Sequence, residues 1–349
     1  MEKRICPNTG LELSVLGLGC WSFGGGNYWG QRDQKDVEAI VNTSLDLGIN
    51  YFDTAELYNE GRSEESLGQA LKSVARDSVV IGSKVSPANC QPKVLIQHCE
   101  ASLKRLDTDY IDLYMIHWPV HTEAIRSFTK DEEKINNVPS IAEVMDTMIG
   151  LRKAGKIRHI GISNFAVSRM EEMPDLSEVA INQLAYNIIS RAIEIEVLPH
   201  CQQNGIGVMG YMGLMQGILA DKWPNIDDIP LLRRRTRHFD SRKVPASRTA
   251  EPGFEAETGE ALATIRKIGQ ETGLSMTDLS LKWIRANQAV TCNLVGASSV
   301  AQITGNAKAM DEELTDEVVQ QLNQATDLLK DSLGNHIDLF ESIANDRTI

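Results

Sequence analysis

Four side chains that can hold or move a proton follow short apolar runs in the chain. Asp53, Lys84 and His117 each end such a run. Tyr58 follows Asp53 by five residues. A phenol with a free pKa of about 10 is a poor proton donor at neutral pH unless a neighbour shifts that pKa. A lysine ammonium a few ångströms away would lower it, and an aspartate would hold that lysine charged and in place. With a histidine to orient the reacting oxygen, the set predicts carbonyl reduction or the reverse alcohol oxidation.

Each of these residues also has an ordinary structural interpretation. Asp53 followed by Thr54 is good capping chemistry, and Tyr58 alone would be a packing residue. Lys84 alone would be a solvated charge at a strand edge, and His117 a satisfied core or surface group. Burying a lysine and a histidine together at an apolar rim is costly unless they are paired or employed. The functional interpretation is therefore favoured for the set and not for any single member.

Alternating apolar and amphipathic segments predict the framework that holds these residues. Eight short apolar runs occur at residues 15–20, 49–53, 78–84, 110–117, 157–163, 179–186, 205–211 and 291–297. Helical patterns lie between them at 33–47, 64–74, 93–106, 141–153 and 194–204. Val- and Ile-rich strands that alternate with amphipathic helices are typical of parallel β-α units. Eight units predict an α/β fold, a (β/α)₈ TIM barrel, with its chemistry at the face where the strands end.

A doubly wound open sheet is the rival fold. It would carry G-x-G-x-x-G after its first strand, and GLGCWSFGGG at 17–26 lacks that spacing. The start of the chain predicts a β-hairpin that turns at Asn8–Gly10 and closes the bottom of the barrel. From Leu314 on, the pattern predicts a C-terminal helical extension with a tail over the barrel. We expect one barrel domain over residues 1–349.

Two connections are much longer than the others, at residues 118–139 and 221–255. Loops of this length in compact domains tend to be functional lids or disordered. The second contains the basic cluster Arg233-Arg234-Arg235-Thr236-Arg237. Two interpretations of this cluster stay open: a solvated loop, or a lid whose arginines clamp a cofactor pyrophosphate or an anionic substrate.

Composition restricts the class of protein. The net charge of −13 over 349 residues disfavours a nucleic-acid partner. No apolar run approaches the roughly 20 residues of a membrane span, and MEKRICPNTG lacks the apolar core of a signal peptide. The six cysteines form no C-x-x-C pair and the seven histidines no H-x-H pair, so neither a disulfide framework nor a metal site is predicted. A cytoplasmic protein is expected, and its oligomeric state stays open.

Hydride transfer requires a source that no side chain supplies, so a nicotinamide cofactor is implied. Gly296-Ala297-Ser298-Ser299 leads into a helix N-terminus, the usual phosphate position of this fold, although an ordinary turn with a serine cap also explains it. Ser163, Asn164 and Gln183 would hydrogen-bond the nicotinamide carboxamide at the barrel mouth. Tyr211, at the end of the seventh run, would stack on the nicotinamide ring.

Aromatic residues are expected at the rim of the same mouth. Trp21, Trp29 and Trp118 have flat faces that suit sugars or ring compounds. Each of them also fits a core position.

With these residues in view, the sequence resembles the aldo-keto reductase family over nearly its whole length. GINYFDTAELYNEGRSEESLGQAL is similar to the family signature around the catalytic tyrosine. IDLYMIHWP is similar to the segment of the strand-four histidine, and GKIRHIGISNF to the strand-five cofactor segment. The resemblance implies Tyr58 as proton donor, Lys84 and Asp53 as its tuning partners, and His117 as the residue that orients the substrate.

The resemblance also implies a set of cofactor contacts. They are Ser163, Asn164 and Gln183 for the carboxamide, Tyr211 for the ring, Leu214, Gly217 and Leu219 for the pyrophosphate, and Ser298, Gln302 and Asn306 for the adenosine end. Two positions depart from the family pattern. Met212-Gly213 replaces a Ser-Pro pair after the seventh strand. Ser299 and Gln302 stand where many members carry a cation for the 2′-phosphate, which argues against NADPH. Hydroxyl and amide donors can still bind a phosphate, so NADPH is expected, with NAD as the alternative.

Two functions of different class fit the residues. The first is an NAD(P)H-dependent reductase of a small aldehyde, ketone or sugar. The second is a cofactor-sensing regulatory subunit, because the same fold serves as a partner of potassium channels. All four proton-handling residues are present, which favours turnover without excluding sensing.

Overall fold

The chain starts with a β-hairpin. The computed structural model describes residues 1–244 and 251–349. Its first strands, β1 (Lys3–Ile5) and β2 (Glu12–Ser14), pair antiparallel with Lys3 opposite Ser14. Arg4 fastens the hairpin to the barrel because its guanidinium donates to the carbonyls of Val290, at 2.6 Å, and of Arg285, at 2.7 Å. Leu11 and Leu13 pack into the barrel interior, so the predicted hairpin is confirmed at the bottom of the barrel.

Eight parallel strands form a closed barrel. They are β3 (Leu16–Gly19), β4 (Tyr51–Asp53), β5 (Val80–Val85), β6 (Ile111–Ile116), β7 (Ile157–Ser163), β8 (Val179–Ala185), β9 (Gly207–Tyr211) and β10 (Val290–Val295). Around the barrel the order is β10-β3-β4-β5-β6-β7-β8-β9. Each strand overlaps one of the eight apolar runs, so the predicted (β/α)₈ barrel is confirmed.

Helices surround the barrel. They are α1 (Gln34–Asp46), α2 (Arg62–Leu71), α3 (Pro92–Leu106), α4 (Thr122–Arg126), α5 (Glu132–Asn136), α6 (Ile141–Lys153), α7 (Val167–Glu171), α8 (Val197–Gln203), α9 (Glu255–Thr272), α10 (Met276–Ala286), α11 (Val300–Lys308) and α12 (Asp316–Leu333). Capping boxes at Ser140 and Ser275 fix where α6 and α10 begin. Within the described ranges no helix has the length and apolarity to cross a bilayer.

Large apolar side chains fill the barrel interior. They include Leu113, Met115, Ile181, Met209 and Leu294. Tyr51 lies among them and is fully buried. Gly82 on the neighbouring strand makes room for it, because a Cβ at that position would collide with the Tyr51 hydroxyl. In this packing the Tyr51 hydroxyl lies within hydrogen-bond distance of the Asp53 carboxylate.

The two long connections differ from a plain loop. Residues 118–139, expected to be a loop, contain the short helices α4 and α5. The 221–255 segment contains 3₁₀ turns at Ile226–Asp228, Leu231–Arg233 and Ser241–Lys243. Residues 245–250 of that segment lie outside the described residues.

The chain after α12 folds back over the barrel as a C-terminal tail, residues 334–349. Its Arg347 is buried and forms two hydrogen bonds of 2.7 Å to Asp338. The backbone carbonyl of Thr348 accepts from the amide of Ala166, and that of Arg347 lies 3.0 Å from His121 Nε2. The tail is thereby tied to the loops that follow β6 and β7, which confirms the predicted C-terminal extension.

Candidate active site

Lys84 joins the two residues predicted to act with it. Its ammonium donates to Asp53 Oδ2 at 2.6 Å, to the carbonyl of Thr54 at 2.8 Å and to the Tyr58 hydroxyl at 3.3 Å. Asp53 ends β4 and Lys84 lies in the adjacent β5, so the barrel itself places both. The Lys84 side chain is fully buried, and three acceptors compensate the loss of water.

Two more groups hold the Asp53 carboxylate from below. The hydroxyl of Tyr51 donates to Asp53 Oδ1 at 3.1 Å, and the Gln183 side-chain amide donates to the same oxygen at 2.8 Å. Tyr51 was missed in the sequence, although its spacing of two from Asp53 puts both side chains on one face of β4. Gln183, predicted to hold a carboxamide, is thus also a partner of Asp53.

Tyr58 is half-buried, and three effects act on its pKa, two that raise it and one that lowers it. Burial raises the pKa of the Tyr58 phenol, the Lys84 ammonium lowers it, and the Asp53 carboxylate raises it. Burial prevails, so the Tyr58 pKa lies above its ordinary range. The expectation from the sequence, a pKa lowered by Lys84, is therefore wrong in its net direction. The phenol therefore carries its proton at neutral pH. Lys84 reduces the free-energy cost of deprotonating Tyr58 but does not cancel that cost.

His117 follows β6 and faces Tyr58, with ring centroids 5.7 Å apart in an edge-on arrangement. Burial lowers the pKa of His117 well below its ordinary value, and the positive charges of Lys84 and Arg347 lower it further. The imidazole is therefore neutral and can donate one hydrogen bond. Its Nδ1 atom is buried and has no partner among the described residues.

The loop that carries Tyr58 has an unusual backbone. Asn59 and Glu60 adopt left-handed φ angles of 51° and 61°, which are strained for residues other than glycine. The Asn59 side-chain amide offsets this strain by donating to the carbonyls of Trp21 and Phe23, both at 2.8 Å. These bonds tie the tyrosine loop to the loop after β3.

The polar residues predicted to face a nicotinamide carboxamide converge at the ends of β7, β8 and β9. The Ser163 hydroxyl donates to the carbonyl of Gln183 at 2.9 Å, and the Asn164 amide donates to Ser163 Oγ at 3.0 Å. The Tyr211 hydroxyl donates to Asn164 Oδ1 at 2.7 Å. Asn164 has a left-handed φ of 65°, which turns its side chain back toward this group.

The segment after β9 is tightly turned. Met212, Met215 and Gln216 have positive φ angles of 60°, 45° and 54°. Gly217, with φ of 100°, occupies a conformation that favours glycine. Leu214 is half-buried and the Leu219 side chain is fully buried, so Leu219 can offer a ligand only its backbone.

The N-terminus of α11 contains the predicted serines. Ser299 is the N-cap and accepts from the Gln302 amide at 3.3 Å. Gln302 Oε1 in turn accepts from the amide and the hydroxyl of Ser298 at 2.7 and 2.8 Å. Gly296 follows β10 directly, and Asn306 is buried one turn further along the helix.

Arg32, from the loop after β3, reaches this same helix end. Its Nη1 lies 3.3 Å from the carbonyl oxygen of Ser298. Its Nε is buried and has no hydrogen-bond partner in the described part of the chain. Sequence analysis does not identify this cation, because Arg32 precedes Ser298 by 266 residues.

The three tryptophans expected at the rim differ in exposure. Trp21 is 37% exposed and its ring centroid lies 5.9 Å from that of Tyr58. Tyr28 stacks on Trp21 at 5.4 Å, and Trp29 meets both rings edge-on. Trp118 is buried, because the Arg347 guanidinium of the C-terminal tail lies 3.8 Å above its ring.

Among the contacts of the described residues, Arg233 is the arginine of the basic cluster that reaches this aromatic group. Arg233 donates to the Tyr28 hydroxyl at 2.7 Å, and that hydroxyl donates to Gln216 Oε1 at 2.7 Å. Arg234 instead donates to the carbonyl of Ile229 at 2.7 Å, and Arg237 to that of Leu333 at 3.0 Å. Within the described residues, Arg233 and Tyr28 therefore connect the loops after β3 and β9 with the 221–255 segment.

Metal chemistry finds no support in the arrangement of ligands. Across residues 1–244 and 251–349, no group of three or more His, Cys, Asp or Glu side chains is placed to hold a metal ion. All six cysteines are buried free thiols.

The chain matches known proteins over most of its length. Residues 15–327 match the sequence model described as the Aldo/keto reductase family. The chain is 30% identical over 333 residues to aldo-keto reductase YhdN of Bacillus subtilis, with 93% of each protein covered. It is 31% identical to the NADH-specific methylglyoxal reductase of Escherichia coli, with 90% of this chain and 95% of that protein covered. An aldo-keto reductase from Klebsiella pneumoniae in complex with NADPH matches with a TM-score of 0.68 at 28% identity, covering 93% of this chain and 95% of that one.

Proposed function

Because the chain belongs to the aldo/keto reductase family, we propose that its Tyr58 hydroxyl is the proton donor of carbonyl reduction. The protein is an NAD(P)H-dependent oxidoreductase that acts on small carbonyl compounds. One observation carries the role of Tyr58: its hydroxyl oxygen accepts from Lys84, whose ammonium also binds Asp53. An ammonium has no acceptor, so the phenol hydrogen stays free for another oxygen.

The neighbouring residues have separate roles in this proton transfer. As Tyr58 gives up its proton, Lys84 stabilises the phenolate, and Asp53 keeps Lys84 charged. Neutral His117 donates a hydrogen bond to the carbonyl oxygen and orients it. Asn164 and Tyr211 hold each other beside this group, because the Asn164 amide also donates to the carbonyl of His117 at 3.1 Å.

The residues present fit a nicotinamide dinucleotide. Arg32 Nε is a buried donor without a partner in the described residues, and it lies beside the serine-rich start of α11. The residues that would hold the cofactor are Ser163, Asn164, Gln183, Tyr211, Leu214, Gly217, Leu219, Gly296, Ser298, Ser299, Gln302 and Asn306. When bound, the nicotinamide supplies the hydride.

We further propose that NADPH is preferred over NADH and that Arg32 is the cation that selects it. Ser299 and Gln302 are neutral and can only hydrogen-bond a 2′-phosphate. Arg32 adds a positive charge at Ser298 from a different part of the chain. A guanidinium binds phosphate through charge-assisted hydrogen bonds, which are stronger than those of hydroxyl or amide donors.

The substrate is identified by cofactor oxidation on a panel of carbonyl compounds. The panel should contain sugars, steroids and small aldehydes, with methylglyoxal among them because the Escherichia coli relative is named for it. We expect turnover of at least one small aldehyde with NADPH, and loss of that turnover in Tyr58→Phe. Tight cofactor binding with no turnover on any compound would contradict the proposal and favour a sensing role.

A further inference from the structure

A buried carboxylate that the proposed chemistry does not use lies next to the tyrosine. Glu56 precedes Tyr58 by two residues, and only 7% of its surface is exposed. Its side chain faces away from Tyr58 and toward the segment that follows β5. Burying a carboxylate there is costly unless several donors surround it.

Three donors from the β5 side bind this carboxylate. Glu56 Oε1 accepts from the backbone amide of Ser86 at 2.8 Å and from the Asn89 side chain at 2.9 Å. Glu56 Oε2 lies 2.6 Å from Nδ1 of His98 on α3. Burial raises the pKa of Glu56, but His98, Ser86 and Asn89 together lower it below its ordinary value, so the group is ionised. His98 Nδ1 is therefore the donor of their hydrogen bond.

The backbone reinforces the same connection. The amide of Glu56 donates to the carbonyl of Lys84 at 3.3 Å. Ser86 directly follows β5, so the Glu56 backbone attaches the tyrosine loop to Lys84 and the Glu56 side chain attaches it to the residue just beyond the strand. Asn89 is held in turn by Lys134 of α5, which donates to its Oδ1 at 2.8 Å.

We propose that Glu56 is a positioning residue that sets the separation between Tyr58 and Lys84. This inference rests on the proposed role of Tyr58. The contact that Glu56 controls is long, at 3.3 Å, so a small outward movement of the loop breaks it. Asn59 fastens the loop on its other side, to the carbonyls of Trp21 and Phe23. Tyr58 is thus held between two fixed points, one toward β3 and one toward β5.

Side-chain length and charge can be varied separately at this position. Glu56→Gln keeps the length and an acceptor for Ser86 and Asn89 but loses the charge. Glu56→Asp keeps the charge and is one methylene too short to span the same gap. If positioning is the role, length matters more than charge.

The expected order of activity follows from that difference. Glu56→Gln should keep kcat within about threefold of the wild type, the effect of about one altered hydrogen bond. Glu56→Asp should lower kcat about tenfold, and Glu56→Ala up to about a hundredfold, as for a catalytic group displaced by about 1 Å. KM for the carbonyl and the Kd for NADPH, the latter measured by tryptophan fluorescence, should stay within about twofold in all three variants, since the Glu56 carboxylate is taken up by Ser86, Asn89 and His98 and is not among the residues proposed to hold either ligand.

A matched control separates positioning from a general loss of stability. Glu194 is also a largely buried carboxylate, and it binds Arg191 and Lys330 without contacting any of the four proposed catalytic residues. Glu194→Ala should lower the melting temperature and leave kcat per folded molecule unchanged. If Glu56→Ala does not fold, the comparison of kcat between Glu56→Asp and Glu56→Gln still tests the positioning role.

Two results would overturn the inference: equal kcat in Glu56→Asp and wild type, or a larger loss in Glu56→Gln than in Glu56→Asp. The Tyr58→Phe variant shows whether such a result overturns the proposed function or only the positioning role of Glu56. If Tyr58→Phe still reduces the substrate, the proposed function fails. If Tyr58→Phe is inactive but the Glu56 order is not observed, only the positioning role fails.

Discussion

The ammonium group of Lys84 donates a hydrogen bond to the hydroxyl oxygen of Tyr58 at 3.3 Å. This direction matters because it leaves the phenol hydrogen unused within the pair. In the proposed reaction, Lys84 can therefore stabilise the phenolate after proton transfer without competing for the proton before it. The same ammonium is fixed by Asp53, so the electrostatic effect on Tyr58 needs no rearrangement during the reaction.

Tyr58→Phe removes only the transferable proton. We expect kcat for carbonyl reduction to fall by about 10² to 10⁴, the usual contribution of a positioned general acid. The Kd for NADPH should be nearly unchanged, because the aromatic ring stays beside Trp21. Steady-state rates and fluorescence titration check both. Equal losses of rate and cofactor affinity would contradict the assigned role.

Lys84→Met removes the charge that lowers the Tyr58 pKa. The pKa of the phenol should then rise further, because burial and Asp53 both raise it. Alcohol oxidation needs the phenolate, so its rate should increase only at higher pH than in the wild type. The reduction rate should fall about 10²-fold or more, as when one donor to a developing oxyanion is lost. Rates in both directions against pH give the test, with exposed Lys72→Met as control; an unchanged oxidation profile would argue against the pairing.

Arg32→Gln should change the choice of cofactor. We expect the Kd for NADP to rise about tenfold to a hundredfold, the value of a hydrogen bond to a charged group, with the Kd for NAD within twofold. Titration of tryptophan fluorescence with 2′,5′-ADP and 5′-AMP isolates the 2′-phosphate without any turnover. Arg62→Gln is a suitable control, since Arg62 is half-exposed and its ion-pair partner is Glu60. Equal weakening of both ligands would show that Arg32 merely holds its loop.

His238 should make stability depend on pH. It is fully buried, and its Nε2 donates to the carbonyl of Ile189 at 2.7 Å, which leaves Nδ1 to accept from Thr236. Burial lowers the pKa of His238 to about 4. The unfolded chain therefore binds a proton between about pH 6.5 and 4 that the folded chain does not, and stability falls as pH falls through that window. The total is about 3 kcal/mol at about 1.4 kcal/mol per pKa unit.

The measurement compares urea unfolding of wild type and His238→Gln across that pH range. Gln keeps a donor for Ile189 but does not titrate. The difference in unfolding free energy between the two proteins should shrink or reverse as pH falls from 6.5 to 4. Since His117, His121 and His159 also have lowered pKa values, only this difference isolates His238. A difference that is constant with pH would contradict the assignment.

The strands, and the convergence of Asp53, Lys84, Tyr58 and His117 at one mouth, could be predicted because both depend on local patterns. Buried parallel strands are continuous apolar runs, and Asp53 and Lys84 stand at or near the ends of theirs. The helices α4 and α5 were missed because five residues are too few to show a helical period. The net direction of the Tyr58 pKa was wrong because burial of that side chain depends on the whole mouth, not on its nearest charge.

Contacts between segments far apart in the chain could not be predicted from the sequence. Gln183 reaches Asp53 across 130 positions, and Arg347 covers Trp118 from the far end of the chain. Glu56 has the sequence context of an ordinary loop residue, because its donors lie in the segment after β5 and in α3. No periodicity or motif encodes such pairs, since they exist only once the barrel has closed.

The hairpin clamp by Arg4 has a consequence for refolding. Arg4 binds carbonyls of residues 285, 287 and 290, so the N-terminal hairpin meets a segment about 280 positions away, next to the place where β10 pairs with β3. Contacts this remote in sequence form slowly. Recovery of enzyme activity after dilution from denaturant should consequently lag behind the return of helical circular dichroism. The delay between the two signals would then measure how long the barrel takes to close.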